Sequence, residues 1–310
     1  MRTKRLGREG PRISVVGFGA WEVGVDLGGE AQNQSVRAMQ TGFDGGMTWV
    51  DTADVYGSEL IVGRALVGRP EIQVFTKVYH GLYEGGLTPP NIRRAAQASV
   101  GRIGRDVIDL YLVLEPDPML PVEDMWSGMV SLVDDGLVRH IGLSNHSVDQ
   151  VQRCENLRHV DAVEDRYSLL HRDRHEALGD LCVHNGTCFI AYGPLGLGVL
   201  SGTVREDTPI GDTSWGRGRS AETMSAYQRS MFGGDVLAGH LRFVERLRAI
   251  ATRTDIPMAQ LALAWVVGRD QFTVAIAGST KPHNTAQNAA AGDFELDSAL
   301  LDELTALHPQ

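Results

Sequence analysis

Eight short β-branched apolar runs, separated by longer segments of helical periodicity, set the limits on what this chain can fold into. The runs fall at 15–20, 47–51, 72–77, 107–114, 140–144, 160–165, 188–193 and 273–278. Amphipathic stretches such as 91–104, 123–134, 148–154 and 259–267 lie between them. Strand-like runs alternating with helical segments read as repeated βα units in a parallel sheet. Eight such units predict closure into a (β/α)8 barrel. A prior of roughly 150 residues per domain would divide the 310 residues in two, but α/β barrels run longer as one domain. No linker interrupts the alternation, so one barrel domain is expected over 1–310.

Local signals agree. Thr88-Pro89-Pro90 reads as an N-cap followed by proline in the first helical turn, and Gly104 as the stop of that helix. Residues 3–6 and 12–15 flank a turn from Gly7 to Pro11, a small hairpin suited to closing the barrel floor. The glycine-rich stretch 201–235 carries little periodicity and is too long for an idle connection, so a functional loop over a site is expected there.

Composition narrows the function. A formal charge of −10 argues against nucleic acid, whose phosphates need a basic face. The basic N-terminus has no apolar core and no run approaches ~18 apolar residues, so neither a signal peptide nor a membrane span is expected. Cys154, Cys182 and Cys188 form no C-x-x-C pair and read as buried thiols in a reducing compartment. A cytoplasmic enzyme follows as the expectation.

Chemistry in such barrels sits where strands end. Asp51, Lys77, Leu114-Glu115, Ser144-Asn145, Glu164-Asp165, Tyr192 and Gly278-Ser279-Thr280-Lys281 collect at that face. A tyrosine serves as a general acid near neutral pH only if its phenolate is stabilised, since its free pKa is about 10. A neighbouring lysine does that, and an aspartate keeps the ammonium charged and placed. Asp51, Tyr56 and Lys77 suit these roles.

The run Asp51-Thr52-Ala53-Asp54-Val55-Tyr56-Gly57 followed by IQVFTK (72–77) resembles the aldo-keto reductases. IDLYLVLEPDP (108–118), HIGLSN (140–145), AYGPLGLGVLSG (191–202) and AGSTKPHNTAQN (277–288) extend the resemblance in family order across almost the whole chain. The resemblance implies an NADP(H)-dependent oxidoreductase acting on a small-molecule carbonyl or alcohol. It makes Tyr56 the acid, Lys77 the group that lowers its pKa, and Asp51 the residue that orients Lys77. Ser144 and Asn145 match the carboxamide-binding pair and Tyr192 the aromatic under the nicotinamide. Leu195, Gly196 and Gly198 match the pyrophosphate loop. Gly278, Ser279, Thr280 and Lys281 match the 2′-phosphate grip, with Asn284, Gln287 and Asn288 following on the next helix toward adenine. Trp21 and Tyr79 match pocket walls. No metal is implied.

Three positions depart from the family. The usual histidine after the fourth strand is Leu114, which cannot donate a hydrogen bond. Glu115 follows where an aromatic pocket residue is common; it can bind a cationic substrate, act as a substitute acid–base group, or stand in solvent at the rim. Glu164 replaces the usual glutamine beside the nicotinamide. As a carboxylate it would accept but not donate, and would favour the oxidised ring. A redox-neutral epimerase or dehydratase that retains NADP(H), and a slow NADP(H)-binding regulatory protein, are the alternative readings. The substrate and oligomeric state are not written in the sequence.

Overall fold

In the computed structural model, which describes residues 1–24, 29–208, 224–233 and 235–308, the eight apolar runs form the strands of one closed parallel barrel. A hairpin precedes it, with β1 (Thr3–Arg5) antiparallel to β2 (Arg12–Ser14). The barrel strands follow as β3 (Val16–Gly19), β4 (Trp49–Asp51), β5 (Gln73–Val78), β6 (Ile108–Val113), β7 (Val138–Ser144), β8 (Ala162–Arg166), β9 (Cys188–Tyr192) and β10 (Thr273–Ile276). Each lies within a residue or two of its expected run. The ring closes because β10 pairs with both β9 and β3.

The helices around it are α1 (Gly29–Asp44), α2 (Glu59–Ala65), α3 (Pro89–Ile103), α4 (Val122–Asp134), α5 (Val148–Glu155), α6 (Asp173–Asn185), α7 (Ala226–Phe232), α8 (Asp235–Thr254), α9 (Met258–Val267), α10 (Pro282–Ala290) and α11 (Ser298–Ala306). Thr88 and Gly104 bound α3 as the local signals require, Gly104 at φ 74°. Helix α5 starts on a reciprocal cap between Ser147 and Gln150. The stretch 201–235 is less irregular than expected. It contains α7, while 209–223 lie outside the described residues.

Two cores follow from the barrel geometry. The outer one packs the helices on the strands. The inner one fills the barrel with Trp49, Phe75, Leu110, Leu112, Ile190 and Val274, and the hairpin plugs its floor with Leu6 and Ile13. Trp49 and Phe75 stack at 4.7 Å, and the indole nitrogen donates to the Ser14 carbonyl at 2.8 Å. A Cβ on Gly17 would lie 2.2 Å from the Trp49 ring, so only glycine admits the indole there. The filled interior leaves the opposite end, where the strands terminate, to carry chemistry. The three cysteines are buried and unbridged, and burial raises the pKa of each thiol. No helix among the described residues is long and apolar enough to cross a membrane.

Candidate active site

Asp51 ends β4, Lys77 stands near the end of β5, and Glu164 lies in β8. In the ring of eight, β4 and β8 stand opposite one another. Their inward side chains therefore meet near the barrel axis, above the inner core. Lys77 lies fully buried between them. Its Nζ donates to both Asp51 carboxylate oxygens at 2.6 Å and to the Thr52 carbonyl at 3.0 Å. Glu164 Oε2 is 3.3 Å from the same nitrogen.

Tyr56 closes a single 3-10 turn, Asp54–Tyr56, directly after β4, with Gly57 at φ 72° reversing the chain behind it. That turn brings the ring over the ammonium, 5.4 Å from centroid to Nζ. Burial opposes the charge on Lys77, but Asp51 and Glu164 outweigh it and drive its pKa up, so the ammonium persists at any working pH. Burial also raises the Tyr56 pKa. Lys77 works against that rise without overcoming it, and Asp51 and Glu164 add to it. Lys77 thus acts in the lowering direction, but burial outweighs it in the free protein and Tyr56 holds its proton. Burial pushes Glu164 up to about 8, helped by Asp51 and opposed by Lys77.

Asp51, Tyr56 and Glu164, with Lys77 buried against them, form the floor at one end of a cavity of about 760 Å³. Its wall runs past Leu114, Ser144, Asn145 and Tyr192 to Leu195 and Gly198, and ends at 278–281 with Asn284, Gln287 and Asn288 of α10. Trp21 lines it as well. Asn145 is held in the left-handed region at φ 60° with its amide fully engaged. It donates to the Leu114 carbonyl at 2.9 Å and Ser144 Oγ at 3.0 Å, and accepts from the Tyr192 hydroxyl at 2.9 Å. The ends of β6, β7 and β9 are thereby tied together. At the far end, Ser279 Oγ accepts from the Lys281 amide at 3.1 Å and from Asn284 at 3.3 Å. Lys281 caps α10, is exposed, and has no ion pair among the described residues. A helix N-terminus beside a free ammonium suits an anion. Gly278 is needed for close approach, since its Cβ would lie 2.1 Å from the Gly19 carbonyl.

Three residues expected at the site lie elsewhere. Tyr79 is absent from the cavity wall, packing its ring against His80 at 4.8 Å. Glu115 also lies outside it, 43% exposed and 3.1 Å from His80 Nε2. The strand β6 ends at Val113, and the glutamate that follows Leu114 stands outside the cavity lining. Gly196 is buried behind the wall against Met231. Tyr227 is among the wall residues that were not anticipated. Tyr227 of α7 lines the cavity, meets Tyr192 edge-on at 5.9 Å and donates to the Gly193 carbonyl at 3.3 Å. The Ser225-x-x-Gln228 spacing is a capping signature that announces this helix.

The aldo/keto reductase family profile matches residues 15–308, and the chain belongs to that family. A probable aldo-keto reductase of Glycine max is 32% identical over 314 aligned residues, covering 97% of this chain and 87% of the relative. The glycerol dehydrogenase of Gluconobacter oxydans superposes with a TM-score of 0.84 at 23% identity, covering 98% of this chain and 95% of that one. An aldo-keto reductase of Klebsiella pneumoniae crystallised with NADPH superposes at 0.78 with 25% identity, covering 100% of this chain and 96% of its own.

Proposed function

We propose that the protein is an NADP(H)-dependent oxidoreductase that moves a hydride between the nicotinamide and a carbonyl or alcohol carbon in this cavity, as one barrel domain. The observation that carries the proposal is the continuity of the cavity from the Asp51–Lys77–Tyr56 cluster to the anion-suited end at Ser279, Lys281 and the start of α10. That span and polarity suit an extended dinucleotide. The adenine end would rest on Asn288 and its neighbours in α10, the 2′-phosphate on Lys281 with Ser279 and Thr280, and the pyrophosphate along Leu195–Gly198. The nicotinamide would lie against Tyr192, with Ser144 and Glu164 beside its carboxamide. A crystallised Klebsiella relative carries NADPH, which supports the choice of cofactor.

When bound, NADPH supplies the hydride. The protein's own part is proton control. Tyr56, holding its proton at neutral pH, faces the carbonyl oxygen and donates as negative charge develops there. Lys77 then stabilises the phenolate, and Asp51 fixes Lys77 through two short charge-assisted bonds. Leu114 offers no second donor, so the substrate oxygen depends on Tyr56 alone at that side. The outward position of Glu115 supports the rim role over a catalytic one.

The test is a titration with NADPH and NADH alongside turnover on a carbonyl panel. Lys281→Ala is expected to weaken NADPH by roughly tenfold or more, since a charge-assisted bond contributes about 1.5–3 kcal/mol, with NADH little changed. Tyr56→Phe is expected to abolish turnover while NADPH binding holds. Unchanged NADPH affinity in Lys281→Ala, or full turnover in Tyr56→Phe, would overturn the assignment.

A further inference from the structure

The Lys77 ammonium has three protons, and all three are engaged. Two go to Asp51 at 2.6 Å and one to the Thr52 carbonyl at 3.0 Å. Glu164 Oε2, 3.3 Å away, receives the field of the lysine but no directed hydrogen bond, and it is buried with no other partner among the described residues. The Glu164 side chain is 4% exposed. Two carboxylates around one buried cation would leave a net negative charge with an unbonded oxygen, an arrangement burial strongly disfavours.

The charged and titratable groups around Glu164 leave one way to relieve it. Asp51 faces it from β4, Tyr56 from the following turn, Lys77 from β5 and Tyr192 from β9. Lys77 is the one cation among these. The next residues of β8 have their charges engaged elsewhere: Asp165 pairs with Arg174 at 2.6 Å, and Arg166 lies 3.4 Å from Asp173. Asp51 takes two of the lysine's bonds and is the carboxyl better suited to keep its charge. Glu164 is the one left to carry a proton.

We propose that Glu164 stands in the cavity floor as a neutral carboxylic acid, a hydrogen-bond donor and acceptor that selects a carbonyl or amide oxygen in whatever the cavity binds. The inference rests on the cavity reading above. A neutral acid, like an amide, can donate as well as accept, with one donor hydrogen where the amide has two; a carboxylate cannot donate, so the sequence-based expectation at this position is reversed near neutral pH. The acid donates as well as accepts, and it places no negative charge beside an oxidised nicotinamide. Burial and the negative charge of Asp51 favour the protonated form of Glu164 up to about pH 8, against the opposing effect of Lys77. Above that pH the site gains a negative charge.

The proton can be observed without cofactor or turnover. Infrared titration of the full chain, with glutamate side-chain carboxyls labelled with carbon-13, separates glutamic from aspartic acid. The expected result is a protonated-glutamate band that persists at pH 7, disappears around pH 8 and is missing from Glu164→Gln. Asp51→Asn, which frees Lys77 protons for Glu164, should move that loss down into the ordinary carboxyl range. A Glu164 already ionised at about pH 6, or a band that survives in Glu164→Gln, would overturn the proposal. Cofactor affinities then separate it from the reading on which it rests. Ionisation of Glu164 should favour NADP+ over NADPH by on the order of tenfold, an effect lost in Glu164→Gln. A band that titrates as expected beside an unchanged affinity ratio upholds the proton on Glu164 and overturns the placement of the nicotinamide.

Discussion

Leu114 has its main chain held and its side chain free to vary. Its amide donates to the Val78 carbonyl at 2.9 Å and its carbonyl accepts from Asn145 at 2.9 Å, while the side chain lines the cavity. A substitution there changes what the cavity offers and leaves the strand end in place. Leu114→His should therefore restore a donor toward the substrate oxygen and raise reduction of simple aldehydes by about 10²-fold, measured as kcat/KM with NADPH. A rate equal to that of the parent would show that Leu114 does not face the reacting oxygen. At this scale the strand-end motifs made Asp51, Tyr56 and Lys77 readable as a set, because a buried lysine needs a fixed carboxylate. The meeting of Glu164 with that set was not readable. It depends on strands far apart in sequence closing into a ring, and local patterning carries no record of which residues then face one another across it. The size of the burial effect on Tyr56, which exceeds the lowering by Lys77, was unreadable for a related reason.

The element whose place was hardest to foresee is α7. Its residues lie in a stretch where helical periodicity is faint, yet Ser225 accepts from the Gln228 amide at 3.2 Å and Gln228 Oε1 accepts from the Ser225 amide at 2.8 Å. That reciprocal cap satisfies donors a seven-residue helix could not otherwise satisfy. The helix carries Tyr227 into the cavity wall and anchors it on Gly193. Ser225→Ala should destabilise this element by about 1 kcal/mol. Faster amide exchange confined to 226–232 and a several-fold weaker NADPH affinity are expected, with the global unfolding midpoint little moved. Exchange unchanged in that segment would remove the cap from the account. Longer elements were legible because repetition reinforced them: Thr88 and Gly104 frame α3 at both ends, and the apolar runs recur often enough to define a barrel.

Across the whole molecule, the barrel's closure and its filled interior were readable, while the energetic consequence of its polar upper layer emerges only from the assembled ring. The Lys77 ammonium and two carboxyls lie on top of an apolar core, and the folded state must accommodate them. For Glu164 the pKa rises from an ordinary 4.5 to about 8 on folding. Below about pH 4.5 the group is protonated in both the folded and the unfolded chain, and its favourable share of stability is fully present. As pH rises beyond that, the unfolded chain releases its proton while the folded one retains it, so this share declines. It is gone once the folded group has also ionised, above about pH 8. Glu164→Gln keeps a neutral amide in the same space at every pH and has no such slope. Stability of the parent relative to this variant should be level in acid, fall by up to ~1.4 kcal/mol per pH unit through the intervening window, and level off again in alkali. Asp51 and Glu164 influence each other's ionisation, so the slope belongs to the pair, and its midpoint need not coincide with either carboxyl taken alone. Paired urea titrations of parent and variant at matched pH measure the difference directly, and two curves that stay parallel across the window would mean that folding leaves the ionisation of Glu164 unchanged.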